Sequence, residues 1–122
     1  MKTTQGNAIK AYILLQRIGN EPKNKALLFK LFKLKKALKE IVDFQSEQEE
    51  KLIKECNGTF DENGRASFES DEDKRKYYEE HKELEKLECE IDLEKAEVDV
   101  NDFDGLTLDI MEIFDPFFEF KG

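Results

Sequence analysis

Residues 27–53 read LLFKLFKLKKALKEIVDFQSEQEEKLI, and the spacing of their apolar side chains decides the fold. Leu27, Leu31, Leu34, Leu38, Ile41, Gln45, Gln48 and Leu52 follow alternating steps of four and three, a heptad seam sustained over nearly four heptads. Leu28, Phe29, Phe32, Val42 and Ile53 widen the stripe at its two ends, as a helix with more than one neighbour requires. Lys30, Lys33, Lys35, Lys36 and Lys39 fill the opposite face first; Glu47, Glu49 and Glu50 then take it over. The spacing predicts one helix over about 23–56, about 50 Å long at 1.5 Å per residue. A helix of that length in a small protein is half of a hairpin.

Downstream, Asn57-Gly58 stops the helix. Thr59-Phe60 and Arg65-Ala66-Ser67-Phe68 flank Asp61-Glu62-Asn63-Gly64 and predict a short β-hairpin over 59–68, with Gly64 supplying the positive φ of its turn. Ser70 before Asp71, Glu72 and Asp73 is an N-cap with acids in the first turn, where the helix dipole favours them. A third helix is expected over about 71–95, with Tyr77, Glu80, Leu84, Leu87 and Ile91 along its seam. Two such helices joined by a tight hairpin fold back antiparallel.

Upstream, residues 7–18 place Ile9, Tyr12, Ile13 and Gln16 at helical spacing, with Gly19-Asn20 and Pro22 as stop signals. After residue 95, Glu97-Val98-Asp99-Val100 alternates with period two and predicts a strand over 97–100; Thr107 caps a short helix over 108–114. Ile110, Ile113, Phe114, Phe117, Phe118 and Phe120 form an aromatic tail. Phe114 and Phe117 are expected to pack on Ile9, Tyr12 and Ile13, leaving Phe118 and Phe120 partly exposed for a partner. The fold class is therefore mainly α with minor β, a single domain over 1–122. Its expected form is a long antiparallel coiled-coil hairpin with a β-hairpin at its tip. The N-terminal helix and a short C-terminal strand and helix pack its base.

The 122 residues carry a net charge of −9, with 40% charged and 39% hydrophobic side chains. That excludes collagenous and low-complexity chains, and no apolar run approaches the roughly 20 residues that span a bilayer. Ten Phe and three Tyr supply core material that a disordered chain of this charge would lack. Charge is segregated. Residues 1–60 hold 12 basic and 7 acidic side chains, a net +5, and residues 61–122 hold 8 and 22, a net −14. Either the halves pair with each other, the favoured expectation, or each faces its own partner. Cys56 and Cys89 lack a CxxC partner and no signal-peptide pattern precedes them, so free thiols in a reducing, cytoplasmic compartment are expected; a bridge needs their helices in register.

The tip loop fails as an EF-hand. With Gly64 on the template glycine, Asp61 and Asn63 take ligand positions, but Thr59 and Ser70 stand where the first Asp and the bidentate Glu belong. His81 is the only histidine and reads as an exposed helix residue; no nucleophile motif accompanies it. Carboxylates lie along solvated helix faces, and phosphate-loop, HExxH and CxxC motifs are missing. The reading is a non-enzyme with no catalytic residues, metal, cofactor or small-molecule substrate, and no membrane. Seven lysines between Lys23 and Lys39, with Phe29 and Phe32 among them, form a basic patch, but the net charge disfavours nucleic acid.

The segments Ala11-Tyr12-Ile13-Leu14-Leu15, Lys33-Leu34-Lys35-Lys36-Ala37-Leu38, Gly58-Thr59-Phe60-Asp61-Glu62-Asn63-Gly64, Glu97-Val98-Asp99-Val100 and Gly105-Leu106-Thr107 carry a resemblance. The chain resembles a family of small uncharacterised proteins from phages and prophages of Gram-positive bacteria, over most of its length. That resemblance implies a phage-encoded origin and no particular activity. The helix–hairpin–helix layout is also similar to a prefoldin subunit, a likeness of fold. The expected function is a non-enzymatic interaction factor that binds a host protein, such as a defence enzyme, stoichiometrically. The alternative is a chaperone-like or structural factor in phage morphogenesis. A third reading is an acidic mimic that competes for a nucleic-acid-binding groove, resting on 12 acids and 2 bases from Glu88 to Gly122. Candidate partner-binding residues are Phe118, Phe120, Phe60, Phe68, Asp109 and Glu112, with a host or phage protein or a second copy of the chain as partner.

Overall fold

In the computed structural model, which describes residues 1–18 and 24–122, strand β1 (Lys2–Thr4) leads directly into helix α1 (Gln5–Ile18). The stop signals Gly19-Asn20 and Pro22, and the expected helix start at residue 23, lie outside the described residues. Helix α2 spans Lys25–Glu55, capped by the Asn24 side chain, which accepts from the Leu27 N–H at 3.1 Å. Asn57 closes it at φ 55°, and the Gly58 N–H donates back to the Ile53 carbonyl. A Cβ on Gly58 would stand 2.6 Å from the Phe68 ring and 2.8 Å from Ile53 Cγ2, so this turn requires glycine.

The chain is mainly helical with small sheets, and α2 is its longest element. Its seam is real but is shared between two partners. Leu27, Leu31, Leu34 and Leu38 are buried together with Ala8, Ala11 and Leu15 of α1. Past Leu38 the buried positions are Gln45, Ile53 and Cys56 rather than Gln45, Gln48 and Leu52. An α-helix drifts about 20° per heptad against a strict seven-residue repeat, and this drift moves the buried line. The buried face of α1 also differs from expectation: Ile13 is 44% exposed and Gln16 is exposed, while Ala8 and Ala11 are fully buried. Small side chains let the helices approach, and the larger ones lie at the edges of the contact.

The tip is a β-hairpin, β2 (Thr59–Phe60) with β3 (Ala66–Ser67), turned at Gly64 with φ 75°. Helix α3 (Asp71–Lys86) then starts at Ser70, whose hydroxyl accepts from the Asp73 N–H, and packs on both α1 and α2. It stops nine residues before the expected residue 95. Leu87 is extended, and β4 (Glu88–Glu90) pairs antiparallel with β1 in the register Thr3 to Cys89. The Gln5 N–H donates to the Leu87 carbonyl, while Met1 and Ile91 exchange hydrogen bonds through the terminal ammonium and the backbone. Residues 87–94, LECEIDLE, alternate apolar and acidic with period two, so a strand fits them as well as a helix does. The N-terminal strand supplies the backbone partner that decides between them.

Strand β5 (Ala96–Asp99) starts one residue early and gives way to a 3-10 turn at Val100–Asp102. It pairs in parallel with β6 (Phe118–Lys121), in the register Val98 to Phe120. Parallel strands need a crossover, and helix α4 (Leu108–Phe114) lies within it. Phe114, Phe117 and Phe118 are all buried, at 0%, 1% and 2% exposure. The expected exposure of Phe118 is thus corrected: pairing with β5 orders the FEFK tail as a strand and turns Phe118 inward. Its ring meets Phe114 edge-on at 5.5 Å, and Phe114 meets Phe103 at 6.2 Å. Tyr12 joins this core at its margin, while Ile13 stays largely outside.

Candidate functional site

The six candidate partner-binding residues fall in two places. Phe60 and Phe68 belong to the tip, where Phe60 is 50% exposed and Phe68 is half-buried against Tyr77, ring centres 5.2 Å apart. Asp109 and Glu112 are exposed on α4, and Phe120 is half-buried on β6. Phe118 contributes only to the floor beneath Phe120.

Between α4 and β6 lies an open groove of about 470 Å³. Thr107 begins it by capping α4, its hydroxyl accepting from the Ile110 N–H at 3.3 Å. With Ile113 and Phe114 packed toward the core, the same helix offers Leu108, Met111 and Glu112 to the groove. Leu108 is 72% exposed. Leu108, Met111 and Phe120 make an apolar floor; Glu112, Asp115 and Glu119 rim it, with Lys95 at one end. Leu108, Met111, Asp115 and Glu119 were not among the sequence candidates. For Leu108 and Met111 the signal is a second stripe on a short helix whose other side serves the core; Asp115 follows that helix and Glu119 lies on β6. On β6, Lys121 pairs with Glu119 at 3.1 Å; that hydrogen bond and the Glu119 charge, then Glu97, hold its ammonium above the ordinary lysine range.

A larger cleft of about 880 Å³ lies between the start of α2 and residues 90–96. Lys30, Lys33 and Lys95 line it together with Glu90, Asp92 and Glu94, so its charge is mixed. Lys30 is engaged by the Glu97 carbonyl at 2.6 Å, and the Met1 ammonium by the Ile91 carbonyl. The groove beside α4 has the more uniform rim.

His81 is not the exposed helix residue expected. Its Nε2 meets Glu49 of α2 and its Nδ1 meets Glu85, both at 2.9 Å, and its ring lies beside Tyr77. Glu49 also accepts from Gln45 Nε2 at 3.1 Å. The cluster ties α2 to α3. Burial, then the Glu49 charge, raises the Tyr77 hydroxyl. Cys56 and Cys89 are free, and burial pushes both thiols up, away from the nucleophilic thiolate. At the tip, the Asp61 carboxylate accepts from the Asn63 and Arg65 N–H groups at 2.9 Å and so serves the turn. Among the described residues no cluster of three or more His, Cys, Asp or Glu side chains is arranged to hold a metal ion, and no helix is long and apolar enough to cross a membrane.

A second exposed surface runs along α2. Phe29 and Phe32, expected to widen the buried stripe, are 56% and 58% exposed. They lie roughly opposite Leu27, Leu31, Leu34 and Leu38 around the helix, and their rings stack at 6.4 Å. Lys33 Nζ stands 4.7 Å over Phe29. The two halves pack on each other, α1 against α3 and α4, α2 against α3 and β1 against β4, but few charged side chains join them. The lysine–carboxylate pairs among described residues each fall within one half, such as Lys39 with Asp43 and Lys121 with Glu119, and the His81–Glu49 hydrogen bond joins the two halves.

The class so defined is a mainly helical protein carrying two apolar surfaces of opposite charge. Compared with protein-family models, curated proteins and solved structures, the chain matches none of them.

Proposed function

We propose that the chain is a non-enzymatic interaction factor of phage or prophage origin, binding a host protein stoichiometrically in the host cytoplasm. The groove between α4 and β6 carries this reading: an apolar floor at Leu108, Met111 and Phe120 under an acidic rim. Such a surface suits a basic amphipathic segment, whose apolar side chains desolvate on the floor while Lys or Arg meets Glu112, Asp115 and Glu119. A defence enzyme that presents a basic surface fits that description, and the groove would then also act as an acidic competitor for it.

The test is capture from host lysate with wild type and with Glu112→Lys/Asp115→Lys. Both positions are exposed at the end of α4, where lysine suits the helix dipole. One protein captured at 1:1 by wild type and lost by the variant supports the reading. Equal capture by both removes the groove as the site. A second reading, an assembly factor that holds a client, draws on the 50% exposed Phe60 at the end of an α2/α3 arm, here taken as an antiparallel coiled coil in the prefoldin manner. Loss of capture on Phe60→Ser, with the groove variant unaffected, favours it.

A further inference from the structure

We propose that the groove between α4 and β6 takes the basic outer face of α2 from a second copy of this chain, so that the protein associates head to tail. The inference rests on the groove being a docking site, as proposed above, and names an occupant for it. Four observations support it.

The outer face of α2 has the required chemistry. Phe29 and Phe32 form a stacked pair more than half exposed, beside exposed Lys25, Lys33 and Lys36. None of these lysines is ion-paired to another described residue within 4.0 Å, although Lys33 lies over Phe29. The groove offers the complement: Glu112 and Asp115, neither ion-paired to another described residue, beside Leu108, Met111 and Phe120, with Glu119 held by Lys121 and Lys95 at one end. The two surfaces of one chain lie on different sides of its core. The Leu27, Leu31, Leu34 and Leu38 side of α2 is buried in the same core as Phe114 and Phe118, so Phe29 and Phe32 point away from the groove of their own chain.

Because patch and groove are different surfaces, the contact is heterologous and leaves one free patch and one free groove at the ends of every assembly. The charges on both sides are exposed, so salt should weaken it. A single-stranded nucleic acid on the stacked phenylalanines is the competing occupant. The chain's net charge of −9 opposes a polyanion, whereas the groove matches the patch in sign and in apolar character.

The experiment is analytical ultracentrifugation of wild type, of a patch variant Lys33→Glu/Lys36→Glu and of a groove variant Glu112→Gln/Asp115→Asn, neutral so that the reversed patch finds no complement in it. All substituted positions are exposed, and circular dichroism checks that each variant folds; Lys33→Gln/Lys36→Gln replaces the first if it does not. Wild type should exceed the 14.3 kDa monomer mass increasingly with concentration, and fall back towards it as salt is raised. Each variant alone should stay monomeric. Mixed together, they should form a 1:1 complex of twice the monomer mass and nothing larger, since only one intact patch and one intact groove remain.

Wild type that is monomeric at all concentrations, variants that still associate, or a mixture that stays monomeric would each overturn the proposal. So would a monomeric wild type that retains labelled oligothymidine through Lys33 and Lys36. Titration of the patch variant with a basic amphipathic peptide separates the two readings. If wild type is monomeric but the peptide binds, self-docking fails and the groove stands; if the peptide is ignored as well, both fail.

Discussion

Between Leu27 and Leu38, α2 lays four leucines of 0–4% exposure into a core shared with Ala8 and Ala11 of α1 and the rings of Phe114, Phe117 and Phe118. Between Gln45 and Cys56 the same helix meets α3, and the buried side chains there are Gln45, Ile53, Cys56 and Leu84, none of which belongs to that main cluster. One helix therefore joins a base held by apolar burial to an arm held in good part by the Gln45–Glu49–His81–Glu85 cluster. Burial of large rings and leucines contributes about 1.5–3 kcal/mol per side chain, whereas a partly exposed hydrogen bond contributes about 1. The base should set global stability, and the arm should open locally at lower free energy.

The largest effect should come from Leu38→Asp. Leu38 is fully buried where base and arm meet, and a carboxylate there has no partner, at a cost of several kcal/mol. With only about 5–15 kcal/mol of net stability in a domain of this size, cooperative thermal unfolding should disappear. A melt like the parent's would refute the seam. Next comes Phe118→Ala, which should cost about 3–5 kcal/mol by leaving a cavity beside Phe114. Phe120→Ala, at the half-buried position two residues on, should cost clearly less. Equal losses in chemical denaturation would mean that Phe120, on the same face of β6, lies as deep in the core as Phe118.

His81→Gln should cost only about 1 kcal/mol, because Glu49 and Glu85 are partly solvated. The informative readout is hydrogen exchange. Amides of α3 and of the C-terminal half of α2 should exchange faster while those around Leu34 keep their protection. Uniform acceleration in both regions would erase the distinction between base and arm.

What could be read beforehand follows the same division between local and distant causes. The seam of α2 from Leu27 to Leu38, the Ser70 and Thr107 caps, the Gly64 turn and the helix at Leu108–Phe114 depend on neighbours a few residues away, and all are present; the seam's second half shifts from Gln48 and Leu52 to Ile53 and Cys56. The end of α3 was not legible: Leu84, Leu87 and Ile91 satisfy the helical spacing while LECEIDLE also satisfies the strand spacing. Only pairing with Lys2–Thr4, some 86 positions upstream in the register Thr3 to Cys89, selects the strand. Strand β6 depends likewise on Ala96–Asp99. In α1 the helical spacing marks Ile13 as well as Ala8 and Ala11, but close approach of helices favours the small side chains, and Ile13 stays 44% exposed. Of the groove, Glu112 and Phe120 were named and Leu108 and Met111 were not, because residues of one seven-residue helix serve both core and surface.

The smallest expected effect lies at the far end of the arm. Asp61 accepts from the Asn63 and Arg65 N–H groups at 2.9 Å, and residues 59–65 are exposed. Asp61→Ala removes both bonds, yet the freed N–H groups can turn to water, so the cost should stay near 1 kcal/mol. That corresponds to a fall of about 4 °C in Tm for a chain of this length. Replacing Asp61–Gly64 with another tight hairpin turn should do no more. Gly58→Ala should be worse than either, although it adds a single methyl, because that Cβ meets both Phe68 and Ile53 below 3.0 Å. The order of the three substitutions is therefore the measurement. If the turn replacement lowers Tm by more than about 10 °C, or if calcium restores it, the tip is held by something beyond its own turn, and the arm is not the more loosely held of the two regions.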